Sequence, residues 1–432
     1  MKKVLFLITI MLPVLAWPQQ LLTIEEAINT ALEHNYEIRI AKNNTEISKV
    51  NNSFGVAGGL PSVNVTATNS NSLYNLDQKL STGVDIIRKD VSSGSINTGV
   101  SASMVLFNGF KIIATKDRLN RLQMQSELEL NMQIQNTMAA VMVTYYNILR
   151  QQRYLTIIQS SLDVSTEKLN IVKTRSTVGM ANDADLLQAE MDRNMAEQNL
   201  IGQHLNIEQE KINLLALMGV DQYYSISVRD TIRVDTLIQK ESILNHLENN
   251  PQFLSSAQQI KINEQIVKEL KSQRYPSVRI NTGYNFIYNS SSAGFNLFTQ
   301  NYGPILGASI QIPVFNGFIY KSQQQVAGFN VKNSELQHKN LFAALKAKAI
   351  KTYQTYEVTL QQLKAQQKNY EHAGRLVEIV IQRFRLNQAT ILDVKAAQAS
   401  FENAGYLLVN LQYDAKIAEI ELKRLTYQLG PL

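Results

Sequence analysis

Residues Ala349–Phe384 read AIKTYQTYEVTLQQLKAQQKNYEHAGRLVEIVIQRF, and the spacing within this stretch decides the fold. Ala349, Tyr353, Tyr356, Leu360, Leu363, Tyr370, Val377, Ile381 and Phe384 follow one another in steps of four and three, with Gln367 and Gly374 in the two gaps. Alternating four-three steps keep one narrow apolar stripe on a helix, the seam of a coiled coil. No proline occurs between Val314 and Gly430, so the pattern predicts a helix from Ile319 to a turn near Asn387. At ~1.5 Å per residue, about 68 residues span roughly 100 Å. A helix of that length cannot cover its own stripe and needs neighbouring helices.

A second such helix lies in the first half. Ile134, Val141, Ile148, Leu155, Leu162 and Leu169 recur at seven-residue steps, with Met138 and Tyr145 between them. Shorter matches occur in the same order in both halves. Val105–Phe110 (VLFNGF) answers Pro313–Phe318 (PVFNGF), and Leu60–Val63 answers Tyr275–Val278. Asp185–Ala189 answers Asp393–Ala397, and Leu217-Met218-Gly219 answers Gln428-Leu429-Gly430. A period this long denotes two structural halves of one body.

The expected organisation is therefore a signal peptide over 1–16, a first repeat over 17–219, a linker over 220–238 and a second repeat over 239–432. The leader rests on Lys2-Lys3 followed by a short apolar run ending near Ala16, too short for a bilayer span. In the first repeat, Thr23-Ile24-Glu25-Glu26 has the spacing of a capping box. Short helices are expected to His34 and over Tyr36–Phe54, then a long hairpin over about 111–218. In the second, Lys240–Glu248 and Pro251–Ser272 repeat the short pair, and 319–429 the hairpin.

Four stretches alternate apolar and polar residues: Ser62–Thr68, Thr98–Phe107, Val278–Tyr288 and Leu306–Phe315. One apolar face on strands near ten residues long is the mark of outer-membrane barrel strands. The Ser-, Asn- and Gly-rich stretches Asn69–Ile96 and Asn289–Gly303 are expected as exposed loops. No helical stretch is apolar enough to span a bilayer, so entry into lipid requires a closed barrel. Four strands cannot close alone, and eight leave a lumen filled by side chains. Twelve strands from three copies leave a conduit, which favours a homotrimer. Hairpins on a soluble core remain the alternative.

Composition narrows the function classes. The 432 residues carry no cysteine, which excludes disulfides, thiolate metal sites, a cysteine nucleophile and lipid attachment through an N-terminal cysteine. The formal charge of +6 is spread without a basic block, so nucleic acid is not an expected partner. His34, His204, His246, His338 and His372 lack ligand spacing. Nothing points to an enzyme, a metal or a cofactor.

The repeat, the two Phe-Asn-Gly-Phe turns and the hairpin elements at Asp185 and Asp393 together resemble the TolC-like outer-membrane efflux proteins. The resemblance covers about Leu22 to Gly430. It implies a mainly α trimer with a twelve-stranded membrane β-barrel, continued by a twelve-helix periplasmic α-barrel. It further implies an outer-membrane channel of a tripartite efflux pump, passing small toxic compounds outward. The implied partners are outer-membrane lipid, a periplasmic adaptor (membrane fusion protein) and an inner-membrane RND or ABC transporter. Type I protein secretion, or a periplasmic coiled-coil scaffold without channel activity, are the alternatives.

The resemblance also implies a periplasmic gate. Asp393 falls where the family carries a tip aspartate; a helix cap accounts for it equally well. The family's closing Tyr and Arg fall on Phe384 and Ala389, and their acidic partner on Asp185. Arg383 and Arg385 are the candidates to pair with Asp185 instead, or else they are solvated surface charges.

Overall fold

A computed structural model describes residues 20–220 and 225–430; the expected leader lies outside the described residues. The elements in order are β1 (Gln20–Leu21), α1 (Ile24–His34), α2 (Tyr36–Asn51), β2 (Ser62–Lys79), β3 (Asp85–Asn108), α3 (Lys111–Thr177) and α4 (Asp183–Met218). Then follow β4 (Ile226–Ser227), α5 (Lys240–His246), α6 (Pro251–Ser272), β5 (Ser277–Ser291), β6 (Phe298–Gln311), α7 (Ile319–Arg385) and α8 (Ile391–Leu425). The described residues fall into two compact units, one within 20–40, 132–220, 225–250 and 344–430, the other within 41–131 and 251–343.

The first unit is helical. Its core takes Ala27, Ile28 and Ala31 from α1, Val141, Tyr145 and Ile148 from α3, and Leu214 and Met218 from α4. Val141 and Ile148, both on the seven-residue series, are fully buried, as are Ala349 and Tyr356 of the α7 stripe. The Thr23 capping box forms, with Glu26 N–H donating to Thr23 Oγ1 at 3.2 Å and Thr23 N–H to Glu26 Oε2 at 3.0 Å. Gly219 ends α4 at φ 72°, where a Cβ would lie 2.5 Å from the His34 carbonyl. At the end of α8 the same left-handed position belongs to Tyr427 (φ 58°), not to Gly430. The sequence match of Gly219 with Gly430 is thus three residues out of register. The residues at the hairpin turns repeat at a constant 208 positions, and Tyr427 keeps that offset from Gly219.

The second unit is built on one antiparallel sheet of order β2-β3-β5-β6. Each repeat supplies a hairpin, and β3 pairs with β5 to join them. The stretches expected as exposed loops are mostly strand. β2 and β3 stay paired through Ser70↔Ser95, Ser72↔Ser93 and on to Lys79↔Asp85, leaving a turn at Leu80–Val84. That turn holds Gly83 at φ 85°. Runs of Ser and Asn have no apolar alternation to show strand, yet their backbone groups pair as any others do, so the ladder extends unannounced. β6 likewise begins at Phe298 and stops at Gln311, short of the expected Phe315. Pro313, with no N–H and a fixed φ, stands just beyond its end.

Where strand gives way to helix, the two halves use the same turn. Gly109 and Phe110 have φ 67° and 66°, and Gly317 and Phe318 have 65° and 64°. The edge-on ring pairs Phe107–Phe110 at 5.4 Å and Phe315–Phe318 at 5.5 Å match as well. A left-handed phenylalanine is strained, and each pays for it with this ring contact.

Candidate functional site

The sheet places most of its apolar residues on a single face. The register aligns Val65, Val100, Tyr284 and Pro304 in one row, and Val63, Ala102, Thr282 and Leu306 in the next. Met104, Ile280 and Ala308 continue the series. The opposite face carries Asn64, Ser101, Gly283 and Ile305 in one row, and Ser62, Ser103, Asn281 and Gly307 in another, polar but for Ile305. Along β3 the apolar rows run from Ile96, opposite Tyr288, to Phe107, opposite Val278, with Leu106 in a bulge between Val105 and Phe107, about 35 Å at ~3.4 Å per residue. At a ~40° tilt this spans about 25 Å, the height of an outer-membrane barrel's lipid-facing band. The face is uncovered in the single chain, with Val65 74%, Leu306 79% and Ile310 67% exposed. β2 and β6 each pair on one side only, leaving two open edges. Among the described residues no helix is long and apolar enough to cross a membrane.

The helical hairpin tips form the second candidate site. Both long helices end alike. Met180 N–H donates to Arg175 O at 2.8 Å with Gly179 at φ 74°, and Gln388 N–H donates to Arg383 O at 2.8 Å with Asn387 at φ 61°. These are Schellman closures around a left-handed residue. Each is followed three residues later by an N-cap. Asn182 Oδ1 accepts Asp185 N–H at 2.7 Å, and Thr390 Oγ1 accepts Asp393 N–H at 3.2 Å.

Asp393 completes a capping box. Its Oδ2 accepts the Thr390 N–H at 2.7 Å and the Thr390 hydroxyl at 2.8 Å. Those hydrogen bonds, with Arg383 nearby, hold the Asp393 carboxyl below its usual range. Neither Arg383 nor Arg385 forms an ion pair with Asp185 among the described residues. Arg385 instead reaches Glu167 on α3. Phe384 and Ala389, where the resemblance implied polar closing residues, are apolar in packing as well as in type. Phe384 is 2% exposed, in a cluster with Leu169, Val172, Ala189, Ile381 and Val394, and Ala389 packs against it.

A further residue, which the sequence reading passed over, ties the hairpins together. Arg175 of α3 lies 4.5 Å over the Phe384 ring and donates to the Phe384 carbonyl. The 208-residue offset maps Arg175 onto Arg383, a signal that could have exposed it. Deeper in the hairpins, Lys168 Nζ meets Asp192 Oδ2 at 2.5 Å, and Lys395 Nζ of α8 meets Asp192 Oδ1 at 3.0 Å. Lys168 is fully buried. Burial pushes the Asp192 carboxyl up, but the lysine hydrogen bonds outweigh it and hold the group below its usual range. Next to it Gln398 of α8 donates to Ser165 Oγ of α3 at 2.9 Å.

An open sheet with a mainly apolar face, in a chain of paired long helical hairpins, has the make-up of a membrane channel subunit. The outer membrane efflux protein family model matches residues 27–220 and again 243–426, so the chain belongs to that family of outer-membrane channels. TolC of Vibrio cholerae serotype O1 is 23% identical over 260 residues, a match spanning 58% of this chain and 58% of that protein. The fold is similar to the Campylobacter jejuni CmeC outer membrane channel (TM-score 0.79, 15% identity, 100% of this chain and 94% of that one). It is also similar to the Vibrio cholerae outer membrane protein VceC (TM-score 0.74, 17% identity, 93% and 95%).

Proposed function

We propose that three copies of this chain close a twelve-stranded barrel in the outer membrane and form the exit duct of a tripartite efflux pump. The observation that carries this is the sheet of four strands with one apolar face and two open edges. Lipid tolerates no open edge, and the free sides of β2 and β6 can pair only with further copies. A stripe on α4, with Leu187, Met191, Met195, Leu205 and Ile212 all exposed, supplies an apolar face for a neighbouring copy. The duct is passive and takes small toxic compounds from an inner-membrane transporter. A periplasmic adaptor engages the hairpin tips.

Opening at the tips is a relative movement of the α7–α8 hairpin against the α3–α4 hairpin. The closing contacts to be broken are Arg175 with Phe384, Arg385 with Glu167, and Lys395 with Asp192. An adaptor opens the duct by binding the separated arrangement more tightly than the packed one. The test is extraction of the native protein in mild detergent, followed by native mass spectrometry and planar-bilayer recording. Trimers with a conductance raised by Arg175→Ala support the proposal; monomers without conductance reject it. Crosslinking from Asp185 and Asp393 in native membranes identifies the adaptor.

A further inference from the structure

At the junction of β3 and α3 lies a cavity of about 330 Å³, lined by Phe110, Ile113, Asp117, Gln265, Lys268 and Lys271 among others. It is large enough for a small ligand's headgroup. The cavity is a consequence of the turn. Gly109 packs so closely that a Cβ there would come within 2.6 Å of the Ser272 carbonyl and 2.7 Å of Tyr275 Cβ. That contact clamps the end of α6 beside the start of α3.

The polar groups of this cavity are of both signs. Lys268 and Lys271 offer donors, while Asp117 is an anionic acceptor. Gln265 is 8% exposed, and its Oε1 is buried with no hydrogen-bond partner. The ion pair in this neighbourhood, Arg118–Glu269 at 2.6 Å, does not use Asp117, Lys268 or Lys271. A buried acceptor without a donor is costly, about 1–3 kcal/mol in general. The rim, by contrast, is apolar and open, with Phe110 65% and Ile113 55% exposed.

We infer that this cavity binds the headgroup of a zwitterionic phospholipid with a primary ammonium, of the phosphatidylethanolamine type. The phosphate meets Lys268 and Lys271. The ammonium, three N–H donors on one carbon chain, meets Gln265 Oε1 and Asp117. The acyl chains lie along Phe110 and Ile113. This inference rests on the membrane reading of the sheet, which places the end of β3 at the headgroup level of the periplasmic leaflet. A choline headgroup has the same charges but no N–H, so it cannot satisfy Gln265. The matching cavity beside Phe315, Asn316 and Phe318 is lined by the cations Arg274 and Lys321 and has no carboxylate. It also adjoins β6, whose free edge a second copy occupies.

The test uses the full protein in mild detergent and native mass spectrometry with added dioleoyl lipids of ethanolamine, choline or glycerol headgroup, and with free phosphoethanolamine. The expected result is preferential retention of the ethanolamine lipid, about tenfold or more over the choline lipid, from one hydrogen bond to a charged group. Gln265→Leu removes that preference and Gln265→Glu, which keeps the acceptor, retains it. Lys268→Gln with Lys271→Gln weakens ethanolamine and choline lipids alike. Equal retention of both lipids by the unaltered protein overturns the inference. Binding of free phosphoethanolamine as tight as that of the lipid overturns the assignment to a membrane ligand. Flotation with pure phosphatidylcholine vesicles separates the two readings: a protein that floats without lipid preference loses only this site, and one that never floats loses the membrane reading too.

Discussion

The apolar residues of the helical unit and those of the sheet meet opposite fates. Val141 and Ile148 are 0% exposed, and Tyr356 is 2% exposed. Val65 and Leu306, on an equally regular pattern, are 74% and 79% exposed. Burial of apolar area from water drives both, at about 25 cal/mol per Å². Val141, Ile148 and Tyr356 find their cover within the chain. The sheet finds none; in the proposed trimer its cover is the hydrocarbon of the outer membrane and its edges pair with further copies. The comparison teaches that a period, by itself, says which residues share a face and nothing about the medium that face meets.

Substitutions break the comparison in a definite order. Val141→Asp buries an unpaired charge among apolar helices and is expected to abolish folding, checked by loss of protease-resistant protein in the membrane fraction. Phe384→Ala empties the tip cluster at a cost of about 3–5 kcal/mol; the readout is earlier thermal unfolding with the sheet still inserted. Val100→Arg, on the face assigned to lipid, costs about 2–4 kcal/mol at mid-bilayer. Ser101→Arg, one residue away, is expected to have little effect on insertion measured in vesicles. Equal effects at these two neighbours contradict a two-sided wall. Thr390→Ala removes one N-cap, about 1 kcal/mol, and shows as faster hydrogen exchange at the start of α8 alone.

Acid sharpens the contrast further. Asp192 is held below its usual range by Lys168 and Lys395. A depressed carboxyl contributes stability above its unfolded pKa, about 4, and loses it as the pH falls through the folded value. Hairpin-tip stability is therefore expected to fall below about pH 4, and Asp192→Asn to flatten that dependence. The apolar face of the sheet contains no such group and is expected to stay inserted over the same range. Limited proteolysis against pH, read separately for tip and sheet fragments, checks this.

Much of this was legible in the residues. Heptad spacing gave the long helices, and the absence of proline gave their length. The repeated Phe-Asn-Gly-Phe predicted two equal turns, and alternation placed Val100, Tyr284 and Leu306 on one face. The strand ends were not legible, because Ser70 to Ser95 pairs through backbone alone. The tip contacts were hidden for another reason. Lys168 and Asp192 belong to no motif in the sequence, and sequence spacing cannot show that two such residues are buried against each other. Arg175 lay outside every pattern until the offset between the halves was fixed by the turns themselves.

The central claim is that the even-numbered residues of 278–288 in β5 face lipid and the odd-numbered ones do not. The chain has no cysteine, so single cysteines carrying a spin label can be introduced along β5 without background. Accessibility to oxygen against a water-soluble nickel chelate, measured in vesicles, reads the medium at each position. The account predicts oxygen-rich signals at 278, 280, 284 and 286, alternating with polar signals at 279, 281 and 285. A uniform pattern, or nickel access at every position, contradicts it.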